Sequence, residues 1–393
     1  MADPLTPRQL AMINTLLYAR DPHLTEVAPG SYHTLGEFMS DISPENTAER
    51  SITVGLQDWI WFADAVKRDD RLRDMRVIEP YYDPVTGSSR VLLEDPATGQ
   101  AYVVFEGSGH GEWADNAEAA GYTDNPLDPT LSVLQQEAVD YITGLGDGYG
   151  PIIVSGHSKG GNKAKVAALL CGNVSRCVSF DGQGFSDEFF AKHADDIARN
   201  QHKIHNYNCA DDYVNELLND VGDTRWYKAH RTGMNPLSNH DPMTMFDENG
   251  DMTEVADRSR LIAELDYMIN SFLRSEGKYK QDSVRSAMEL LDVMFGTGRD
   301  RQGINMIRFL STAKNRDFVR RLFAYTVRFA NLPFVRALCD LLKRLGLGMA
   351  ADMLFVAYNV PNGEDLVVDP APAPDAPGEG RKGDDSGGPP PML

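Results

Sequence analysis

The chain has 393 residues, 42% of them hydrophobic and 9% aromatic, and a formal net charge of −20. That length holds one large domain or two of ordinary size; no apolar run approaches the roughly 20 residues of a membrane-spanning helix, and the acidity excludes nucleic acid as a general partner. Four cysteines (Cys171, Cys177, Cys209, Cys339) are too few and too irregularly spaced for a disulfide framework, so free thiols are expected, and with no leader-like start a cytoplasmic location.

Residues 1–75 read as a helical segment packed on the core, because Leu10, Ile13 and Leu17, then Leu56, Trp59, Ile60 and Ala63, recur at helical spacing. From Arg76 the runs RVIEPYYD, SRVLLED and AYVVFEG are separated by DPVTGS and PATG, which is the turn chemistry of a hairpin series. Apolar strands then alternate with helices up to about 252: a helix near 131–145, PIIVSG, a helix through the 160s, RCVSFDG, a helix near 186–199, KIHNYN and TRWYKAH. That alternation predicts an α/β core over 76–252 with a mostly parallel central sheet. Past 253 no strand is expected. Leu261, Leu265, Ile269 and Phe272 begin an all-α C-terminal region over 253–360, a lid or interaction element or simply core, with a glycine-rich break at GTGRDRQG. The stretch 361–393 is rich in Pro, Gly and Asp and is expected to be disordered.

Charge is distributed unevenly. Between Arg299 and Arg344 eleven Lys or Arg stand against three Asp, a balance of +8, which leaves −28 on the rest. This segment either offsets its own acidic body or offers a surface to anionic lipid or an acidic partner.

Gly156-His157-Ser158-Lys159-Gly160 fits G-x-S-x-G between a predicted strand and a predicted helix. A serine on that sharp turn presents its Oγ clear of the backbone, Gly156 and Gly160 make room for the turn, and the helix N-terminus favours developing negative charge. Such a serine requires a base and an acid, which in α/β-hydrolase folds follow in the order Ser, Asp or Glu, His on loops after later strands. Asp212, in CADDYV between KIHNYN and a predicted helix at VNELL, suits the acid role, with Asp181 and Asp211 as rivals. Of nine histidines only His230 and His240 follow that acid. His240, in the loop PLSNHDPMTMF, is favoured over His230 at the end of TRWYKAH. His157 is expected to pack within the elbow and point away from the nucleophile; His110, His202 and His205 read as surface or turn residues. No histidine spacing suggests a metal site, and no cofactor is expected. The oxyanion hole is expected from the amide of Lys159 and from the loop after AYVVFEG, where Gly107 permits close approach and Ser108 follows.

GHSKGGN, SFDGQGF, DDYVNELL, NHDPM and VVFEGSGHGEWAD together resemble the bacterial Mbeg1-like group of the α/β-hydrolase superfamily over roughly residues 5–250. The chain is also similar to the class 3 lipases, whose Arg-Gly-Ser or Arg-Gly-Thr followed by Trp-x-Asp is matched by Gly107-Ser108 and Trp113-Ala114-Asp115, with Glu106 in place of the arginine. The resemblance implies Ser158 as nucleophile, Asp212 as acid, His240 as base and Ser108 in the oxyanion hole. Esterase or lipase chemistry on a small ester or lipid is implied; an acyltransferase or peptidase, or a non-catalytic binding module, stays open, and the oligomeric state is not legible.

Overall fold

A computed structural model describes residues 3–19, 23–42, 56–109, 112–121, 125–212, 214–215, 217–230, 239–295 and 308–328. Side chains alternate between two faces along each strand, and that alternation sorts the core. In β2 (Ser89–Asp95) and β3 (Gln100–Phe105), Val91, Leu93, Tyr102 and Val104 join one apolar cluster while Leu92, Ala101, Val103 and Phe105 join the other. The strands are therefore hydrophobic on both sides and carry helices on both.

Eight strands lie in sequence order across one sheet. β1 (Arg76–Tyr82), β2 and β3 pair antiparallel, as the hairpin series predicts. β3 through β4 (Ile152–His157), β5 (Val174–Phe180), β6 (Ile204–Cys209) and β7 (Asp223–Tyr227) pair parallel. A two-residue strand, β8 (Glu254–Val255), then closes the sheet antiparallel to β7. Four of the seven pairings among the described residues are thus parallel, in part the mostly parallel sheet expected; the sheet is mixed, parallel in the centre and antiparallel at both edges. The expectation of no strand past 253 misses β8, which is too short to show any alternation.

On the first face lie α1 (Pro7–Leu16), α2 (Leu35–Asp41) and α3 (Leu56–Lys67), followed by the short α4 (Asp70–Asp74). Thr6 and Gln9 cap α1 reciprocally and Pro7 opens it, a combination that fixes a helix start from sequence alone. Leu10, Ile13 and Leu17 are fully buried against Tyr102, Val104 and Phe180, each contributing about 1.5–3 kcal/mol. The opposite face is covered by α6 (Val133–Leu145) and α7 (Lys159–Leu170). Between β3 and α6 lies α5 (Trp113–Ala119); the helix predicted near 186–199 is two, α8 (Asp187–Lys192) and α9 (Ala194–Asn200), divided at His193.

After β8 come α10 (Arg260–Ser275), α11 (Lys280–Phe295) and α12 (Ala313–Arg328). Phe272, Phe309 and Phe318 form a small core of their own between these helices, and Val284 meets Ala120 just past α5. Cys171, Cys177 and Cys209 are buried free thiols. His110, Cys339, the glycine-rich break near 296–303, the stretch 361–393 and all of the basic segment except 308–328 lie outside the described residues. No helix among the described residues is long and apolar enough to cross a membrane.

Candidate active site

β4 runs directly into α7 through Ser158, whose φ of 57° and ψ of −125° lie in a region that non-glycine residues rarely adopt. The turn is tight because neighbouring backbone occupies the space around it. A Cβ on Gly156 would lie 2.1 Å from the Gly160 carbonyl, and one on Gly160 would lie 2.1 Å from the Phe105 carbonyl oxygen. Gly160→Ala is accordingly expected to cost about 1–3 kcal/mol, read as a lower denaturant midpoint at unchanged slope, because the obstacle is backbone and cannot rotate away.

The same contacts bring the loop after β3 against the elbow. Phe105 pairs with Gly156 in the parallel register, and a Cβ on Gly107 would meet the Tyr18 hydroxyl at 2.1 Å and the His157 carbonyl oxygen at 3.3 Å. Ser108 is half-buried, and its Oγ accepts a hydrogen bond from Asn116 Nδ2 at 2.9 Å. Glu106, the departure from the lipase pattern, is buried; Ser89 Oγ donates to its carboxylate, and His23 Nε2 lies 3.3 Å from Oε2. The inverted charge is therefore absorbed within the fold.

Asp212 and His240 come together: His240 Nδ1 is 3.1 Å from Asp212 Oδ2. Asp212 is buried, and its carboxylate also accepts the amides of Val214 and Asn215, each at 3.2 Å. The predicted VNELL helix is absent among its described residues. A turn forms instead, closed by the Leu217 amide on the Val214 carbonyl, although Asp212 receives the Val214 and Asn215 amides much as a helix N-cap would. A second tie runs from Asn239 Nδ2 to the Asp211 carbonyl at 3.1 Å. Asp211 thus contributes its backbone to joining the two loops.

His240 is 15% exposed, enough to meet a small reactant. Burial disfavours its charged form, but the charge and hydrogen bond of Asp212 outweigh that and hold its pKa above the ordinary histidine value. Its ring centroid is 4.8 Å from that of His157. His157 is buried and packs within the elbow as expected; it also lies against the candidate base, and its Nδ1 meets the Tyr18 hydroxyl at 2.6 Å. Burial, reinforced by His240, pushes His157 well below the ordinary value, so it stays neutral near pH 7.

Asp181 lies behind this pair at a φ of 47°. Its Oδ1 accepts the Cys209 amide at 2.6 Å and Asn215 Nδ2 at 2.8 Å, while Oδ2 is buried without a hydrogen-bond partner among the described residues. Burial, aided by the neighbouring Asp212, pushes its pKa up to about 8. A carboxyl group held protonated at neutral pH is poorly suited to stabilise an imidazolium. At His230 the amide donates to the Thr244 carbonyl at 2.8 Å, the ring acts on Asp247, and Nε2 is buried without a hydrogen-bond partner among the described residues.

Sequence reasoning missed the lysines of α7. Lys159, Lys163 and Lys165 are all buried, and each ammonium meets a carboxylate: Asp115, Glu112 and Asp220 in turn. Burial alone would raise the Asp115 carboxyl, but Lys159 brings it below the ordinary value. Adjacent small residues in GGNKAKVAALL hint at a closely packed helix, yet lysines normally reach solvent and nothing in the sequence names their partners.

Residues 127–291 match the Mbeg1-like family model, the group that the sequence resembles. The matched stretch contains Ser158, Asp212 and His240 and leaves Ser108 outside. No curated protein is detectably similar in sequence. Among solved structures, a triacylglycerol lipase from Penicillium expansum is 15% identical, covering 47% of this chain and 82% of its own, at a TM-score of 0.30. The Lip2 lipase from Yarrowia lipolytica is 15% identical over 59% of this chain and 80% of its own, at 0.34. A Rhizomucor miehei lipase in its propeptide complex is 14% identical over 63% and 80%, at 0.35.

Proposed function

We propose that this chain, whose residues 127–291 carry the Mbeg1-like match, is a serine hydrolase that cleaves carboxylic esters through an acyl-enzyme. One observation supports this above the others: the hydrogen-bonded Asp212–His240 pair sits with the His240 ring against His157, one residue before a serine held at positive φ. A base and its orienting carboxylate are thereby brought to the strand-to-helix turn.

With Nδ1 turned to Asp212, Nε2 of His240 is the nitrogen left to take the Ser158 proton as Oγ attacks the ester carbonyl. Asp212 orients the ring and stabilises the imidazolium. The amides of Lys159 and Ser108 receive the oxyanion. His240 returns the proton to the leaving alkoxide, then activates the water that releases the acid. This balance requires no metal or redox partner.

Reaction with a fluorophosphonate probe, followed by mapping of the adduct, tests the proposal. An adduct on Ser158 is expected, and His240→Ala is expected to lower its rate of formation by at least about 10³-fold. A folded wild-type protein that forms no adduct on Ser158 would remove the hydrolase reading. p-Nitrophenyl esters of increasing chain length then identify the acyl group preferred.

A further inference from the structure

Burying a lysine is costly unless its charge is matched, and α7 buries two immediately behind the candidate nucleophile. Lys159 and Lys163 are four residues apart and share a face of the helix. Opposite them, Glu112 and Asp115 stand three residues apart at the start of α5. Lys159 pairs with Asp115 and Lys163 with Glu112, all four side chains being buried. The two rungs tie the start of α5 to the first turns of α7 through side chains.

Each rung ends on backbone that matters. Glu112 divides its oxygens: Oε1 takes Lys163 Nζ, and Oε2 accepts the Gly109 amide at 2.5 Å. Lys163 Nζ also donates to Ser88 Oγ at 2.9 Å. Asn116, on α5, holds Ser108 Oγ. On the other rung Asp115 takes Lys159 together with Ser132 Oγ at 2.8 Å and the Leu134 amide at 2.9 Å. Lys159, the residue after the elbow serine, is thus moored to the start of α6. The residues whose amides are expected to receive the oxyanion are thus each held by buried polar contacts, Ser108 through Asn116 and the adjoining Gly109, Lys159 through Asp115.

We propose that Glu112 and Lys163 are positioning residues for acyl transfer: their ion pair sets the backbone of residues 108–109 against the amide of Lys159. The inference rests on the hydrolase reading above. A merely structural pair would serve equally well as two apolar side chains, since replacing both members of a buried pair is often neutral for stability. A pair that also holds the Gly109 amide would not, because an apolar replacement leaves that donor without its acceptor.

The test uses the full chain carrying Glu112→Leu with Lys163→Met, or Glu112→Gln with Lys163→Met. The second variant discards the ion pair but keeps a carbonyl for Gly109. Both are neutral replacements of the whole pair, so no lone charge is left buried to unfold the protein. Three quantities are read: kcat and KM for p-nitrophenyl butyrate, amide hydrogen exchange resolved by peptide, and the melting temperature. The Leu/Met variant is expected to lose about 10²-fold in kcat with KM within about twofold, and to exchange faster in 106–112 but not in α7. The Gln/Met variant is expected to recover at least about tenfold of that loss. Wild-type kcat and exchange in the Leu/Met variant, or faster exchange spread over the whole chain, would overturn the proposal. Local acceleration at 106–112 in a protein whose wild type hydrolyses nothing would leave the clamp standing and remove the hydrolase reading alone.

Discussion

Ser158→Ala is expected to lower ester hydrolysis by about 10⁴–10⁶-fold and to abolish fluorophosphonate labelling, with the protein fully folded. The expectation follows from position as much as from chemistry. Ser158 makes no side-chain capping bond to α7, so removing its Oγ withdraws nothing that the helix needs. The φ of 57° persists in the alanine variant, because the strain comes from Cβ. Ser158→Gly removes that strain as well and is expected to melt higher than wild type, by the equivalent of about 1 kcal/mol, while being equally inactive. A stabilised, inactive glycine variant would show that the turn is held in its conformation at a cost. Retention of more than about 1% of hydrolysis by the alanine variant would mean that the nucleophile lies elsewhere.

The parts of this fold that were legible in the sequence are those governed by local physics. The spacing of Leu10, Ile13 and Leu17 predicts α1, DPVTGS and PATG predict the hairpins, and the strand-turn-helix context of GHSKGG predicts the elbow. Other features depend on partners far along the chain. Lys163 meets Glu112 from 51 residues away, and no periodicity in KGGNKAKVAALL distinguishes a paired buried lysine from an exposed one. Glu106 reads as a disturbance to the oxyanion loop until His23 and Ser89 are seen to enclose it. The VNELL segment likewise differs from its local propensity: it forms a turn beside Asp212, whose carboxylate meets His240 from 28 residues away. The errors collect around the elbow, where burial and charge are combined.

Asp212→Asn carries the second large expected effect, and its sign can be worked out. The base must be neutral to accept the Ser158 proton, so hydrolysis rises as pH passes upward through the pKa of His240. Asp212 holds that pKa above its ordinary value of about 6.5, so the acid limb of kcat/KM is expected above pH 6.5 in the wild type. Without the carboxylate, burial dominates and the limb moves below it. At pH 8 kcat is expected to fall by about 10⁴-fold, because an asparagine there no longer selects the productive tautomer. Stability responds in the opposite sense. A raised histidine pKa contributes stability that is complete below the unfolded value and is lost as pH rises through the folded one, so the wild-type melting temperature should decline over the window in which activity appears. The asparagine variant should lose that decline, since its single oxygen can keep only one of the Val214 and Asn215 amides, which go to different carboxylate oxygens, and a neutral amide no longer favours a charged ring. An acid limb that stays in place in Asp212→Asn would transfer the orienting role to another carboxylate; Asp181, buried beside the pair, also acts on the ring, and would have to give up a proton that burial favours in order to fill it.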